Sequence, residues 1–534
     1  MARDSAAVAG WTTVSRLTGF ARAIAVAAVL GPTYLGNTYQ AVNGLPNLVF
    51  ELLTGNLLAT LLVPAFVRFV DRRDRASLER VVGAFLGLAL ATFAVIAVLA
   101  VLAGELLLQL VTLGVEDAGV AGDQRRVGFL LLLMVVPQVL LYAVAGVGGA
   151  VSNAHGRFSL PAAAPALENV GILATLAVVA LAFGTGATLE DVGMAELLVL
   201  GLGSTAAVGL HAGAQWWGAR RVGVSMRPRL GWRDTDMNEL LRAGAPSLGY
   251  SSLNALRWLA VLVVANAVPG GVVAFTLAIN FFYLPIAIGA RPVAIALLPR
   301  LARLHQARTP AGFRDEWVHG AALALFVTVP AAVAYLVLST PLARAASVGE
   351  MATPDGIALV SVSLAALAAG IVGEALFVMG THASYARGDA RSPFRAMVLK
   401  TLVSMAGMAV VAWRLEGAAL LLGLGLVLSL ADIAGAADLW RRVEIGLPRG
   451  SARLAPAVGR ALVASILMAV PAFLVAAGVA GAVGGAGGEV LAVAAATLVG
   501  AATFLAVQRS LRSPELGLFV SALRRGGARP AGER

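Results

Sequence analysis

The stretch Trp11–Leu30, WTTVSRLTGFARAIAVAAVL, is long and apolar enough to cross a bilayer, yet it contains Arg16 and Arg22. A membrane-spanning helix needs about 20 predominantly apolar residues, and a helix over residues 8–30 puts both guanidinium groups within about 5 Å of its midpoint. An arginine at that depth costs several kcal/mol unless it faces water, a partner or an anion. The alternative, a later helix start with Arg16 at the membrane interface, does not account for Arg22. The stretch therefore predicts a polar cavity between helices that accepts an anionic ligand.

The composition of the whole chain is typical of a polytopic α-helical membrane protein. Of 534 residues, 59% are hydrophobic and 13% are charged, and the mean hydropathy is +0.85. The sequence contains no cysteine, which excludes disulfides, thiolate metal sites and a cysteine nucleophile. It also lacks a Gly-Lys-Ser/Thr phosphate-binding loop. We therefore expect neither an enzyme nor an ATPase, and no metal or bound cofactor.

Apolar segments predict an all-α protein with fourteen transmembrane helices. The predicted spans are residues 8–30, 36–68, 82–113, 127–151, 159–183, 193–218, 243–268, 271–298, 318–343, 357–383, 394–413, 416–438, 455–482 and 488–508. The second span contains Pro46, Gly55 and Pro64, which predict a kinked or broken helix.

The arginines between the spans predict the topology. The loops after even-numbered spans contain 23 arginines, whereas the opposite loops contain four, Arg125, Arg126, Arg344 and Arg414. Because positive charge concentrates in cytoplasmic loops, both termini are predicted to be cytoplasmic. The net charge of +11 then reflects loops that contact anionic bilayer lipids, and nucleic acid is not an expected partner.

An internal repeat divides the chain into two lobes. Ser152-x-Ala154-x-Gly156-x4-Pro161 recurs as Ser384-x-Ala386-x-Gly388-x4-Pro393, and the six intervening spans give both copies the same orientation. Such a parallel repeat predicts two pseudo-symmetric six-helix lobes. The predicted domains are an N-lobe over 1–222, a C-lobe over 238–445, two further spans over 454–510 and a basic cytoplasmic tail over 511–534.

Ionisable side chains inside apolar spans are candidates for pairing or for ion coupling. Glu168 and Lys400 are 232 residues apart and therefore occupy equivalent positions in the two lobes. Asp432 and Asp438 have Arg441 and Arg442 as candidate partners, and Glu51 is a candidate counter-charge for Arg16 or Arg22. For His211, a hydrogen-bonded core histidine and a proton relay both remain open.

Several motifs resemble one known family. They are Ser15-Arg16-Leu17-x-Gly19-Phe20-x-Arg22, Leu45-Pro46-Asn47, Tyr385-Ala386-x-Gly388-Asp389-x-Arg391-Ser392-Pro393 and Leu284-Pro285 followed by Ala296-Leu297-Leu298-Pro299-Arg300-Leu301. These motifs span most of residues 10–445 and are similar to those of the MurJ/MviN lipid II flippases of the multidrug/oligosaccharidyl-lipid/polysaccharide exporter (MOP) superfamily. Against the family pattern, Asn37 replaces an acidic residue and Asn280 replaces an arginine.

The resemblance implies a flippase in the bacterial cytoplasmic (inner) membrane that moves an anionic undecaprenyl-diphosphate-linked lipid, lipid II, by alternating access. It assigns the diphosphate to Arg16 and Arg22, and Arg257 and Arg291 are candidates to supply further positive charge. The candidate substrate-binding residues are Arg16, Arg22, Asn47, Arg257, Asn280 and Arg291. Coupling to Na+, H+ or the membrane potential is expected, the potential being worth about 2.3 kcal/mol per charge per 100 mV.

Two other functions fit the same residues. One is a transporter of the same fold with another cargo, either a polysaccharide-lipid or an ion-coupled small molecule, in which Glu51 or Glu168 supplies the acidic group. The other is a transport-silent scaffold that recruits cell-wall synthesis or division proteins. The sequence names neither the cargo, nor the coupling ion, nor the oligomeric state.

Overall fold

The computed structural model describes residues 2–57, 62–229, 235–448 and 450–519, without the side chains of residues 2–6, 9, 51–57, 235–248 and 486. These residues fold into helices and contain no β-strand, which confirms the all-α class. The helices are α1 (Ala2–Leu30), α2 (Tyr34–Leu57), α3 (Val63–Asp71), α4 (Arg75–Leu102), α5 (Gly104–Val111), α6 (Ala118–Val135), α7 (Gln138–Ala154), α8 (Ser159–Ala182), α9 (Met194–Arg221), α10 (Thr235–Ala265), α11 (Gly271–Pro285), α12 (Arg291–Gln306), α13 (Pro310–Val337), α14 (Ser339–Ala346), α15 (Pro354–Ala386), α16 (Arg391–Arg414), α17 (Gly417–Glu444), α18 (Leu454–Val483) and α19 (Gly485–Ser510).

Every predicted span overlaps at least one of these helices. Twelve helical stretches of the described chain are long and apolar enough to cross a membrane, and a shorter apolar helix covers Gly249–Ala265. The chain is thus a multi-pass membrane protein, and the count of fourteen is compatible with the structure. α2 continues through Pro46 to Leu57. Residues 58–61, between α2 and α3, lie outside the described residues, so a break at that point stays a prediction.

The described chain divides into two units. Unit 1 comprises Met1–Leu277 and Gly349–Met351, and unit 2 comprises Ala278–Val348 and Ala352–Arg534. This division lies within α11, whereas the repeat predicts a lobe boundary between residues 222 and 238, which stays a prediction.

Each unit has its own apolar core. In unit 1, Phe66 and Phe93 are almost completely buried. In unit 2, Trp317 is fully buried and stacks on Trp440 with 4.0 Å between the ring centroids. Burial of such rings stabilises each unit because aromatic side chains remove large apolar areas from their surroundings.

The repeated Ser-x-Ala-x-Gly motif is the C-terminal cap of a helix in both units. Gly156 follows α7 with φ of 70°, and Gly388 follows α15 with φ of 71°. The amide of Arg157 donates to the carbonyl of Ser152 at 2.9 Å, and the amide of Asp389 donates to that of Ser384 at 3.0 Å. This six-residue bond closes a Schellman cap, whose left-handed position favours glycine. The repeated sequence motif therefore corresponds to the same backbone conformation at the ends of α7 and α15.

Prolines interrupt two of the predicted spans. Pro137 separates α6 from α7, and the hydroxyl of Thr205 donates to the carbonyl of Met134 at 2.7 Å, just before the break. A π-helical turn over Ile286–Ala290 joins α11 to α12 and ends two residues before Pro292. A proline lacks an amide hydrogen and clashes with the preceding turn, so the helix breaks or widens.

We predict that Gly156→Ala and Gly388→Ala each destabilise the protein by about 1 kcal/mol, because an L-residue resists the left-handed conformation. No atom lies within 4 Å of a Cβ added at either glycine, so steric clash would not contribute. Thermal unfolding of the purified variants measures the effect.

Gly459→Ala is the matched control, since Gly459 lies inside α18 and also has no atom within 4 Å of an added Cβ. Alanine there should stabilise the helix by about 0.5–1 kcal/mol. A stabilising Gly156→Ala or Gly388→Ala would contradict the proposed role of the caps.

Candidate functional site

A buried carboxylate in unit 1 is the centre of the first polar cluster. Glu168 lies on α8, and α1, α7 and α9 supply its partners. The Tyr142 hydroxyl donates to Glu168 Oε1 at 3.0 Å, His211 Nδ1 lies 2.9 Å from Oε2, and Arg22 Nη1 lies 3.5 Å from Oε1. We call these four residues the Glu168 cluster. A carboxylate withdrawn from water requires such partners, because an unpaired buried charge is strongly destabilising.

Arg22 is paired but still accessible. Its side chain is 38% exposed, whereas that of Glu168 is 11% exposed. A guanidinium group carries five N–H donors, so one carboxylate contact leaves donors for another anion. Glu51 was the expected counter-charge of Arg16 or Arg22, and its side chain lies outside the described residues; the structure brings Glu168 to Arg22.

The motif before Arg22 holds α1 against α8. Asn169, next to Glu168, donates through Nδ2 to the Ser15 carbonyl and to Thr18 Oγ1, both at 3.2 Å. A Cβ added at Gly19 would lie 3.4 Å from that Nδ2, in van der Waals contact, so α1 and α8 are close at this point. These contacts fix the turn that precedes Arg22 and thereby place its guanidinium beside Glu168.

The other candidate substrate-binding residues have varied environments. Arg16 on α1 and Asn47 on α2 are exposed, and Arg257 on α10 is half-buried; all three belong to unit 1. In unit 2, Asn280 on α11 is half-buried, and Arg291 is exposed at the start of α12, with its guanidinium 6.0 Å from the Tyr283 ring centroid. Their convergence on one substrate site stays a prediction.

A second polar cluster lies in unit 2 around Lys400. Lys400 Nζ on α16 lies 2.5 Å from Glu374 Oε2 on α15 and 2.9 Å from Asp432 Oδ1 on α17. The lysine side chain is 3% exposed, and its Nζ lies 4.7 Å from the Phe377 ring centroid. We call Lys400, Glu374 and Asp432 the Lys400 cluster. Asp438 contacts Arg442 at 2.6 Å, as the sequence predicted. For Asp432 the same two arginines were the candidate partners, but the structure places it beside Lys400, one helix away.

The two clusters occupy equivalent positions in the repeat. Glu374 is 232 residues after Tyr142, the same offset that relates Lys400 to Glu168. Asp432 is 221 residues after His211, the offset that relates the paired arginines ending α17 to those ending α9. The charges are inverted, with a central carboxylate in unit 1 and a central ammonium in unit 2. The repeat offset could have identified Tyr142, which sequence reasoning missed.

Neither cluster is a metal site of the usual kind. Within the described residues, no group of three or more His, Asp or Glu side chains could hold a metal ion.

Comparison with known proteins identifies the family. A sequence model described as "Lipid II flippase MurJ" matches residues 26–484. The chain belongs to the lipid II flippase MurJ family. The matched range includes Glu168 and Lys400 and begins after Arg16 and Arg22.

Individual relatives agree with this family. The probable lipid II flippase MurJ of Haemophilus influenzae is 22% identical over 406 residues, which are 74% of this chain and 78% of that protein. A solved lipid II flippase MurJ in an inward closed conformation has a TM-score of 0.75 and 15% identity, over 94% of this chain and 99% of the other. An inward-facing MATE multidrug transporter of the MOP superfamily has a TM-score of 0.64 and 15% identity, over 81% and 95%.

These matches confirm the resemblance seen in the sequence motifs. The MurJ and MATE structures share the fold of this chain, and the MurJ family is one of flippases. The prediction of a transporter and not an enzyme is therefore also confirmed.

We predict that Lys400→Met destabilises the protein by about 3–5 kcal/mol, because it leaves the buried carboxylate of Asp432 and the half-buried one of Glu374 without their shared cation. Adding Glu374→Gln and Asp432→Asn to the same chain should restore most of the loss. Thermal unfolding in detergent gives the ranking.

Arg442→Met serves as the control, since it breaks the more exposed pair with Asp438 and should cost no more than about 1 kcal/mol. A Lys400→Met protein as stable as the Arg442→Met protein would show that the buried pairing is dispensable.

Proposed function

We propose that this chain translocates lipid II across the bacterial cytoplasmic membrane by alternating access. The observation that carries the proposal is the match to the lipid II flippase MurJ family over residues 26–484. The multi-pass fold and the partly exposed arginine near the middle of an apolar helix are consistent with an anionic lipid as cargo.

Arg22 is the residue that we propose for the diphosphate. It lies near the centre of the apolar stretch Gly10–Leu30 and keeps 38% of its side chain exposed. Its 3.5 Å contact with Glu168 is longer than the roughly 2.7–2.9 Å of a strong charge-assisted hydrogen bond. The remaining donors can form a fork on a phosphate, which suits arginine better than lysine. Arg16, exposed on the same helix, would add a second positive charge.

The Lys400 cluster bears on the energy source. Its ammonium group already supplies a cation to Glu374 and Asp432, so a sodium ion there would compete with a tethered charge. We therefore propose that the proton gradient or the membrane potential drives transport. Moving a negatively charged lipid outward is favoured by an inside-negative potential of about 2.3 kcal/mol per charge per 100 mV.

We place both termini in the cytoplasm, as the arginine distribution predicts. Anionic bilayer lipids would then contact the arginine-rich loops. Binding to cell-wall synthesis or division proteins stays a prediction.

We predict that Arg22→Ala fails to rescue a flippase-depleted bacterium although its amount in the membrane is normal, and that Arg22→Lys rescues partially because it keeps the charge without the fork. In proteoliposomes, the lipid II flipping rate of Arg22→Ala should fall at least about tenfold, the effect of losing one strong charged contact.

Arg442→Ala, which breaks only the ion pair with Asp438 on the same helix, should flip lipid II at the normal rate. Full activity of Arg22→Ala would remove Arg22 from the substrate site. If the native chain itself does not flip lipid II, while Glu168→Gln abolishes ion-coupled efflux of another cargo, the chain is an exporter of the same fold.

The topology is testable because the native chain contains no cysteine. We predict that a membrane-impermeant maleimide labels Glu190→Cys in intact cells, whereas Ala307→Cys reacts only after the membrane is opened. Both positions are exposed, in the loops before α9 and after α12. The reverse pattern would invert the proposed orientation.

A further inference from the structure

Among the contacts of Glu168 with described residues, the contact with Arg22 is the longest. Tyr142 and His211 lie 3.0 and 2.9 Å from the carboxylate oxygens, whereas Arg22 lies at 3.5 Å. If Arg22 turned away, Oε1 would still accept from Tyr142 and Oε2 would still contact His211. The carboxylate would therefore keep a partner on each oxygen, which avoids most of the penalty of an orphaned buried charge.

Tyr142 and His211 are themselves well supported. The Tyr142 ring stacks on Phe50 with 5.5 Å between centroids, and it meets the His211 ring edge-on at 6.4 Å. The His211 side chain is only 14% exposed. Of the three partners of Glu168, Arg22 is accordingly the one with access to a ligand.

In the equivalent cluster of unit 2, the ion pairs are short and enclosed. Lys400 makes contacts of 2.5 and 2.9 Å to two carboxylates and is 3% exposed. A cation as enclosed as Lys400 cannot exchange its carboxylate partners for an external anion. The Glu168 cluster differs in the length of its arginine contact and in the exposure of that arginine, and both differences favour exchange.

We propose that Glu168 is an internal counter-anion that competes with the phosphates of the substrate for Arg22 and thereby promotes substrate release. The proposal rests on the proposed function of Arg22. In the empty transporter Arg22 pairs with Glu168; in the loaded transporter it pairs with the diphosphate. When the lipid leaves, the Glu168 carboxylate pairs again with the Arg22 guanidinium, so that Arg22 is never an uncompensated charge in the membrane. Glu168 is thus a positioning residue that weakens binding and speeds turnover.

The test separates binding from turnover. Lipid II affinity is measured for the purified full chain in nanodiscs, and single-turnover and steady-state flipping are measured in proteoliposomes. Removing the competing charge in Glu168→Gln should tighten lipid II binding about tenfold and slow steady-state flipping by a similar factor.

Tyr142→Phe should have the opposite effect on affinity. It removes a neutral donor from Oε1 but keeps the aromatic ring that stacks on Phe50. Glu168 then depends more on Arg22, so lipid II should bind severalfold more weakly. Because phenylalanine is a conservative replacement, this variant keeps the proposal falsifiable if Glu168→Gln does not fold.

Two further variants complete the design. In an Arg22→Ala background, Glu168→Gln should no longer tighten lipid II binding, because the guanidinium for which Glu168 and the phosphates compete is absent. Asp438→Asn, which removes a carboxylate paired with Arg442, should leave lipid II affinity unchanged.

The direction of the change in lipid II affinity distinguishes the proposal from a purely structural role of Glu168. If Glu168 only stabilises the packing of α1 on α8, both Glu168→Gln and Tyr142→Phe weaken lipid II binding and slow flipping. That result would show that the proposal is wrong. Unchanged affinity in Glu168→Gln also overturns it. Failure of the proposed function gives a different result, since the native chain would then neither bind nor flip lipid II.

Discussion

The fold depends on pairing charged side chains that apolar helices withdraw from water. An ion inside a bilayer or a dry helix bundle is tolerated only with a partner of opposite charge or with several hydrogen bonds. Both units meet this requirement at the same place, where three helices of the repeat come together: α7, α8 and α9 in unit 1, and α15, α16 and α17 in unit 2. Each helix contributes one polar side chain, so the polar contacts also specify which helices pack together.

Small residues bring those side chains within reach. A Cβ at Gly171 on α8 would lie 2.6 Å from Cβ of Ala207 on α9, close to where Glu168 meets His211. In unit 2, a Cβ at Gly373 would lie 2.7 Å from the backbone carbon of Asp432, and one at Gly435 would lie 3.1 Å from Cβ of Lys400. A larger side chain at Gly171 or Gly373 would force the helices apart. Close backbone approach through small residues is a general feature of helix packing in membranes, and here it shortens the distance that each polar group must span.

The sequence predicts the fold class, the spans and the repeat because hydropathy and glycine caps are local properties. It also predicts that Glu168 and Lys400 are equivalent. It does not predict the break at Pro137 or the π turn before Arg291, since a proline pattern alone does not say how a helix adjusts. The role of Asn37 is another example: its Nδ2 donates to the Val268 carbonyl at 2.8 Å, and its Oδ1 accepts from the Val272 amide at 2.9 Å. An ionised aspartate cannot donate, so the departure from the family pattern at this position has a structural reason that only the fold reveals.

The two clusters place opposite charges at equivalent positions of the repeat. In both units a charge among three helices is compensated, by cationic and neutral partners around a carboxylate in unit 1 and by two carboxylates around an ammonium in unit 2. The two arrangements differ in how accessible their cation is to a ligand. Lys400 is enclosed by its partners, and its removal leaves two negative charges behind. Glu168 keeps two inner partners and shares an outer one, Arg22, that is 38% exposed. An arrangement like that of Glu168 can exchange an ion pair with a ligand without leaving a buried charge alone, and for this reason we propose that the anion binds in unit 1.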